Sequence, residues 1–191
     1  MRPYSETLFL KRQKIRLIRD WGIVLFYTAF IYITLPIMPG VWESFTKKVG
    51  NFSDYLAGFA LGVIGLFIIF YLSINKKNIW NFIWLAMIGS AYACGLSILK
   101  LSIERVHFIE YGLLSLFVFR ALRHNLKSKF IYLWSAIIVF CIGFLDEGLQ
   151  YLLPNRVYDT KDVIVNGIAG VLGLLLIGLC LSPKNKNDRE R

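Results

Sequence analysis

The stretch CIGFLDEGLQYLLPNRVYDTKDVIVNGIAGVLG, between Cys141 and Gly173, sets Asp146, Glu147, Gln150, Arg156, Asp159, Asp162 and Asn166 between two strongly apolar runs. A carboxylate or carboxamide in hydrocarbon is costly and is kept where it has a partner or a task. Upstream, Glu104-Arg105-Val106-His107-Phe108-Ile109-Glu110-Tyr111 opens another apolar run. Residues three, four and seven apart share a helical face, so His107, Glu110, Tyr111 and Leu114 line one side of that helix. The same spacing puts Glu147, Gln150 and Tyr151 on one side of the next helix, with Asp146 about 100° round it. Asp159, Asp162, Asn166, Gly170 and Gly173 form a stripe on the one after. An imidazole titrates near neutrality and carboxylates buried together can share a proton, so His107, Glu110 and Glu147 are the candidates for acid and base chemistry. Arg105 and Arg156 offer guanidinium groups that match carboxylate or phosphate. Tyr111, Gln150, Asp159, Asp162 and Asn166 are candidates for binding a substrate. The alternative reading is structural: Glu147 ties one helix to another, and Asp159 caps a helix whose first turn favours Asp162.

These groups need helices to carry them, and the composition states where those helices lie. Of 191 residues 57% are hydrophobic and 18% charged, and the mean hydropathy is +0.57, the profile of a membrane protein. Six spans are expected, at Trp21–Met38, Asp54–Ser73, Ile79–Leu99, Val106–Leu122, Phe130–Leu153 and Lys161–Leu181, as one all-α bundle over residues 21–182. Residues 1–20 form a basic flank or amphipathic surface helix, and residues 183–191 a polar tail. Pro39–Ser53 reads as a mildly polar loop. Gly58-x-x-x-Gly62 and the small residues Gly89 to Gly95 permit close helix approach. The first apolar run begins at Trp21 without a small-residue cleavage site after it, so it reads as a retained helix.

The net charge of +10 would suit a nucleic-acid partner, but the basic residues flank apolar runs, where they set topology. Lys and Arg number six in Met1–Asp20, two in the turn after the second span, four after the fourth and four in the tail. The three opposite loops hold two each. The positive-inside rule then places both termini in the cytoplasm and the polar groups of three helices in the outer leaflet, at matched depths within roughly 10 Å of the helix ends. Arg156 lies on the loop above them. Cys94, Cys141 and Cys180 have neither disulfide nor ligand spacing. No cofactor is expected; a divalent metal on Glu110, Glu147, Asp159 and Asp162 with one imidazole is the minor alternative.

His107-Phe108-x-Glu110-Tyr111-x-x-Leu114, Asp146-Glu147-x-x-Gln150 and Pro154-x-Arg156-x-x-Asp159-x-x-Asp162-x-x-x-Asn166-x-x-Gly170-x-x-Gly173, in that order, resemble the VanZ-like family of small membrane proteins. The resemblance covers about Glu104 to Gly173; spans one to three carry no matching motif. It implies a multi-pass protein of a bacterial or archaeal cytoplasmic membrane, and for the founding member low-level resistance to the lipid-bearing glycopeptide teicoplanin. It implies no reaction. The expected function is binding of an envelope lipid or lipid-linked precursor headgroup at an outward-facing polar site, with acid or base chemistry as a further step. A non-enzymatic envelope protein locked by its polar cluster is the second reading, and a small transporter the third.

Overall fold

Pro36 sets the first boundary. Helix α1 (Tyr4–Thr34) stops two residues before it, because the residue preceding a proline is pushed out of helical backbone and proline has no N–H to donate. The structure, a computed structural model, describes residues 4–50, 52–75, 78–99, 102–126, 129–154 and 158–181. The basic N-terminal stretch and the first apolar run form one unbroken rod of 31 residues, about 46 Å long against roughly 30 Å of hydrocarbon.

The Pro39–Ser53 stretch, expected as a loop, is largely helix α2 (Met38–Val49). Pro39 in its first turn is pre-set for helical backbone, and Lys47 Nζ lies 2.7 Å from Glu43 Oε1 one turn away, holding that carboxyl below the ordinary range. Trp42 and Phe45 stack with centroids 5.6 Å apart. Gly50, at φ +63°, ends the helix in backbone that L side chains resist. The pattern was hidden because proline and glycine at both ends read as loop chemistry.

Then follow α3 (Phe52–Asn75), α4 (Ile79–Ile98), α5 (Ser102–Leu122), α6 (Phe130–Tyr151) and α7 (Thr160–Leu175), the last continuing as a π-helical stretch, Leu176–Leu181. Asn78 caps α4 by accepting the Trp80 N–H at 3.1 Å. Five helices are long and apolar enough to cross a membrane: Leu10–Thr34, Gly58–Asn75, Ile79–Ile98, Phe130–Tyr151 and Thr160–Leu181. Their outward faces carry Phe26, Phe59, Phe67, Trp80 and Leu145, side chains that lipid solvates and water does not. The protein is therefore an all-α, multi-pass membrane protein.

Helix α5 is apart from those five, since it carries Glu104, Arg105, His107, Glu110 and Arg120. It is the hub. Its Phe108, Tyr111, Leu114, Ser115, Val118 and Ala121 are buried, and α1, α3, α6 and α7 pack around it.

Helices α5 and α7 approach closely at a pair of glycines. A Cβ added at Gly173 would fall 2.5 Å from the Gly112 carbonyl oxygen and into the Ser115 hydroxyl; one at Gly112 would meet the Tyr92 hydroxyl. The Tyr92 hydroxyl in turn donates to the Ala169 carbonyl at 2.9 Å, bringing α4 onto the same seam. Gly58 and Gly62, expected to draw helices together, have nothing within 4 Å of such a Cβ. In the Gly89 to Gly95 stretch of α4, by contrast, Gly95 is closely packed, an added Cβ falling 2.7 Å from the Phe108 ring of α5.

At its far end α5 is tied to α1 by Asp20, which is 3% exposed. Its carboxylate meets Arg19 Nε at 2.9 Å, His124 Nε2 at 2.8 Å and Arg120 Nε at 3.2 Å. Two measurements test this frame by heating detergent-solubilised variants and following the folded peak. Gly173→Ala should yield little folded protein while Gly65→Ala, in open space, behaves as wild type. Asp20→Asn, which removes charge-assisted bonds, should cost on the order of 2 kcal/mol, or about 4–8 °C in midpoint.

Candidate functional site

The polar side chains gather where α5 begins, α6 ends and α7 begins. Asp159 sets the last of these: its Oδ1 accepts the Lys161 N–H at 2.8 Å and so caps α7. That cap brings the chain back over α6, where the Asp159 N–H points at Glu147 Oε2, 3.4 Å away. Gln150, one turn along α6, donates Nε2–H to Glu147 Oε1 at 3.0 Å. Glu147 is 1% exposed, with His107, Asp146 and Asp162 in electrostatic reach.

On α5, His107 Nδ1 lies 3.2 Å from Glu110 Oε2, both side chains largely buried. Glu104 Oε1 stands 3.8 Å from Lys161 Nζ, tying the start of α5 to that of α7. Asp162 is half-buried near Glu104, Asp159, Lys161 and His107, and its buried Oδ1 takes no hydrogen bond among the described residues. Asn166, 2% exposed, lies one turn deeper; a Cβ at Gly143 would be 3.3 Å from its Cβ and from the Tyr111 ring. His107, Glu110, Tyr111, Glu147, Gln150, Asp159, Asp162 and Asn166 thus belong to one neighbourhood.

Arg105 points elsewhere. Its Nε donates to the Leu99 carbonyl at 3.0 Å, closing the α4–α5 turn. Arg156 lies outside the described residues. Tyr151, expected beside Glu147 and Gln150, is 70% exposed, and Asp146 takes the inward place. The buried face of α6 runs Gly143, Asp146, Glu147, Gln150, spacings of three, one and three that a count centred on Glu147 and Gln150 alone passes over. Asp146 is fully buried, with the hydroxyls of Tyr32 and Tyr111 in electrostatic reach. Tyr32, which also donates to the Ile142 carbonyl at 2.8 Å, and Tyr27, close to Glu110, bring α1 into the site. Nothing in their local sequence announces it, since contact between helices a hundred residues apart leaves no local pattern.

Among the described residues no three His, Cys, Asp or Glu side chains are placed to hold a metal ion. Six carboxyl groups, of Glu104, Glu110, Asp146, Glu147, Asp159 and Asp162, gather there, with His107 and Lys161 among the groups near them. Such a set accepts hydrogen bonds and protons far better than it binds an anion.

A multi-pass, all-α membrane protein with carboxyl groups from three helices gathered at one end of its central helix is the class that fold and site define. The VanZ/LLP1 family model matches residues 23–181, and the chain belongs to that family. The match extends well beyond Glu104–Gly173, so the first three predicted spans are part of the family pattern too. Neither the curated proteins nor the solved structures gave a match.

The bonds onto Glu147 imply a contrast in stability. Gln150→Leu removes a donor from a buried carboxylate and should lower stability by about 1–3 kcal/mol, whereas Tyr151→Leu, on the lipid side, should stay within about 0.5 kcal/mol; thermal shift in detergent separates them.

Proposed function

We propose that the protein binds the polar headgroup of an envelope lipid or lipid-linked precursor at this cluster, with α5 as the sixth span, both termini in a bacterial or archaeal cytoplasm, and the cluster in the outer leaflet. One observation carries the reading: Asp146 and Glu147, on consecutive residues, are 0% and 1% exposed in a helix long and apolar enough to cross a membrane. Two adjacent buried carboxyl groups are far more than a helix tie requires, and each is costly there without a task. The predominance of acceptors favours a headgroup rich in donors, such as sugar hydroxyls or an ammonium, over a bare phosphate. His107 and Glu147, in electrostatic reach of each other, are the groups that would exchange a proton with it. Teicoplanin, a lipid-bearing glycopeptide, offers such donors, and reduced susceptibility to it is the cellular expectation of this reading.

A second reading, in which the cluster only locks the bundle, draws on the bonds that Gln150 and Asp159 make to Glu147. Native mass spectrometry of full-length protein separates the two. On the headgroup reading, wild type retains a glycolipid or amine-bearing lipid, Glu147→Gln loses it by about tenfold or more, and His107→Ala stays folded while losing it too. Folded variants that keep the wild-type lipid profile would overturn the headgroup reading, and unfolded His107→Ala together with unchanged Glu147→Gln would establish the lock.

A further inference from the structure

Helix α5 has a second face. Arg105, Ile109, Gly112, Leu113 and Leu116 follow at helical spacing, and at about 100° per residue they point roughly opposite to His107, Glu110, Tyr111 and Leu114. All but Arg105 line a cavity of about 500 Å³ between α3, α4 and α5, a volume within the usual range for a bound small molecule. Its other walls include Gly58, Gly62 and Gly65 of α3 and Gly89 of α4. A Cβ at any of these four would have nothing within 4 Å, so the glycines leave room that no side chain among the described residues takes up.

Shape narrows the occupant. Along α3 the cavity runs from Gly58 to Ile68, about 15 Å at 1.5 Å per residue, which equals half of a roughly 30 Å hydrocarbon core. That is the depth of one leaflet and the reach of one acyl chain, whereas a partner's spanning helix would run the full thickness, and the groove's walls are almost wholly apolar.

Charge completes the assignment. Arg105 sits one turn beyond Ile109 at the N-terminal end of α5 and, by its bond to the Leu99 carbonyl, spans to the end of α4 just past Leu96, itself a lining residue. A guanidinium there complements a phosphate. We propose that the α3–α4–α5 groove holds one acyl chain of an anionic membrane phospholipid, its phosphate against Arg105. The site lies across α5 from the polar cluster and does not depend on the headgroup reading.

The test uses full-length protein in phosphatidylcholine nanodiscs doped with phosphatidylglycerol carrying a mid-chain diazirine. After irradiation, adducts are mapped by peptide mass spectrometry. The proposal expects them to concentrate on the groove walls of α3, α4 and α5, to fall there about tenfold in Gly89→Leu or Gly62→Leu, and to be unaffected in Glu147→Gln. Arg105→Gln should abolish the advantage of the phosphatidylglycerol probe over its phosphatidylcholine counterpart. Adducts spread evenly over lipid-facing residues such as Phe26 and Leu133 in wild type would mean bulk lipid alone and overturn the proposal, even if the leucine variants fail to fold. Unchanged groove labelling in a folded leucine variant would overturn it as well.

Discussion

Everything at the polar end of the molecule depends on how closely α5 and α7 approach. Where Gly173 meets Gly112 the two backbones come within reach that a single methyl group would forbid. The contact fixes the separation of the two helices that carry Glu104, His107, Glu110 and Asp162. Without it, Glu104 and Lys161 would not pair, and Asp162 would not lie over His107. In lipid there is no apolar driving force to press helices together, so geometry of this kind has to be supplied by small residues and by bonds such as Tyr92 to the Ala169 carbonyl.

Much of this was legible in the chain and some was not, for reasons that differ residue by residue. The stripe Asp162, Asn166, Gly170, Gly173 could be counted off at helical spacing, and it is the inward side of α7. Asp159 could be named as a cap from its type and place. The inward turn of Asp146 was visible in the spacing from Gly143, yet Tyr151 competed with it, because periodicity identifies a stripe without saying which edge of it the neighbours cover. Tyr32 and Asp20 were out of reach: each acts on a helix far along the chain, and such pairings are settled by packing. Helix α2 escaped because Pro39 and Gly50 act as helix ends as readily as they act as loop residues.

Helix α5 sorts its polar residues by face, and the sorting separates two kinds of chemistry. Its acidic and titratable groups turn toward α6 and α7, where acceptors outnumber positive partners; its one strongly basic residue near the same end, Arg105, turns toward α4. The acidic neighbourhood has Lys161 of α7 as a cation near Glu104, while Arg105 stands at the rim of the apolar groove on the other side of α5.

That same polarity bears on how the protein is made. Segments enter the bilayer in the order of synthesis, and each ionisable side chain near the centre of a span costs a few kcal/mol to insert. Helix α5, which is not among the five apolar spans, emerges before α6 and α7, two of the helices that pack on it. On the proposed six-span arrangement, its place in the membrane is secured once those helices are available, and a chain cut short after α5 lacks the two helices against which much of its buried face packs.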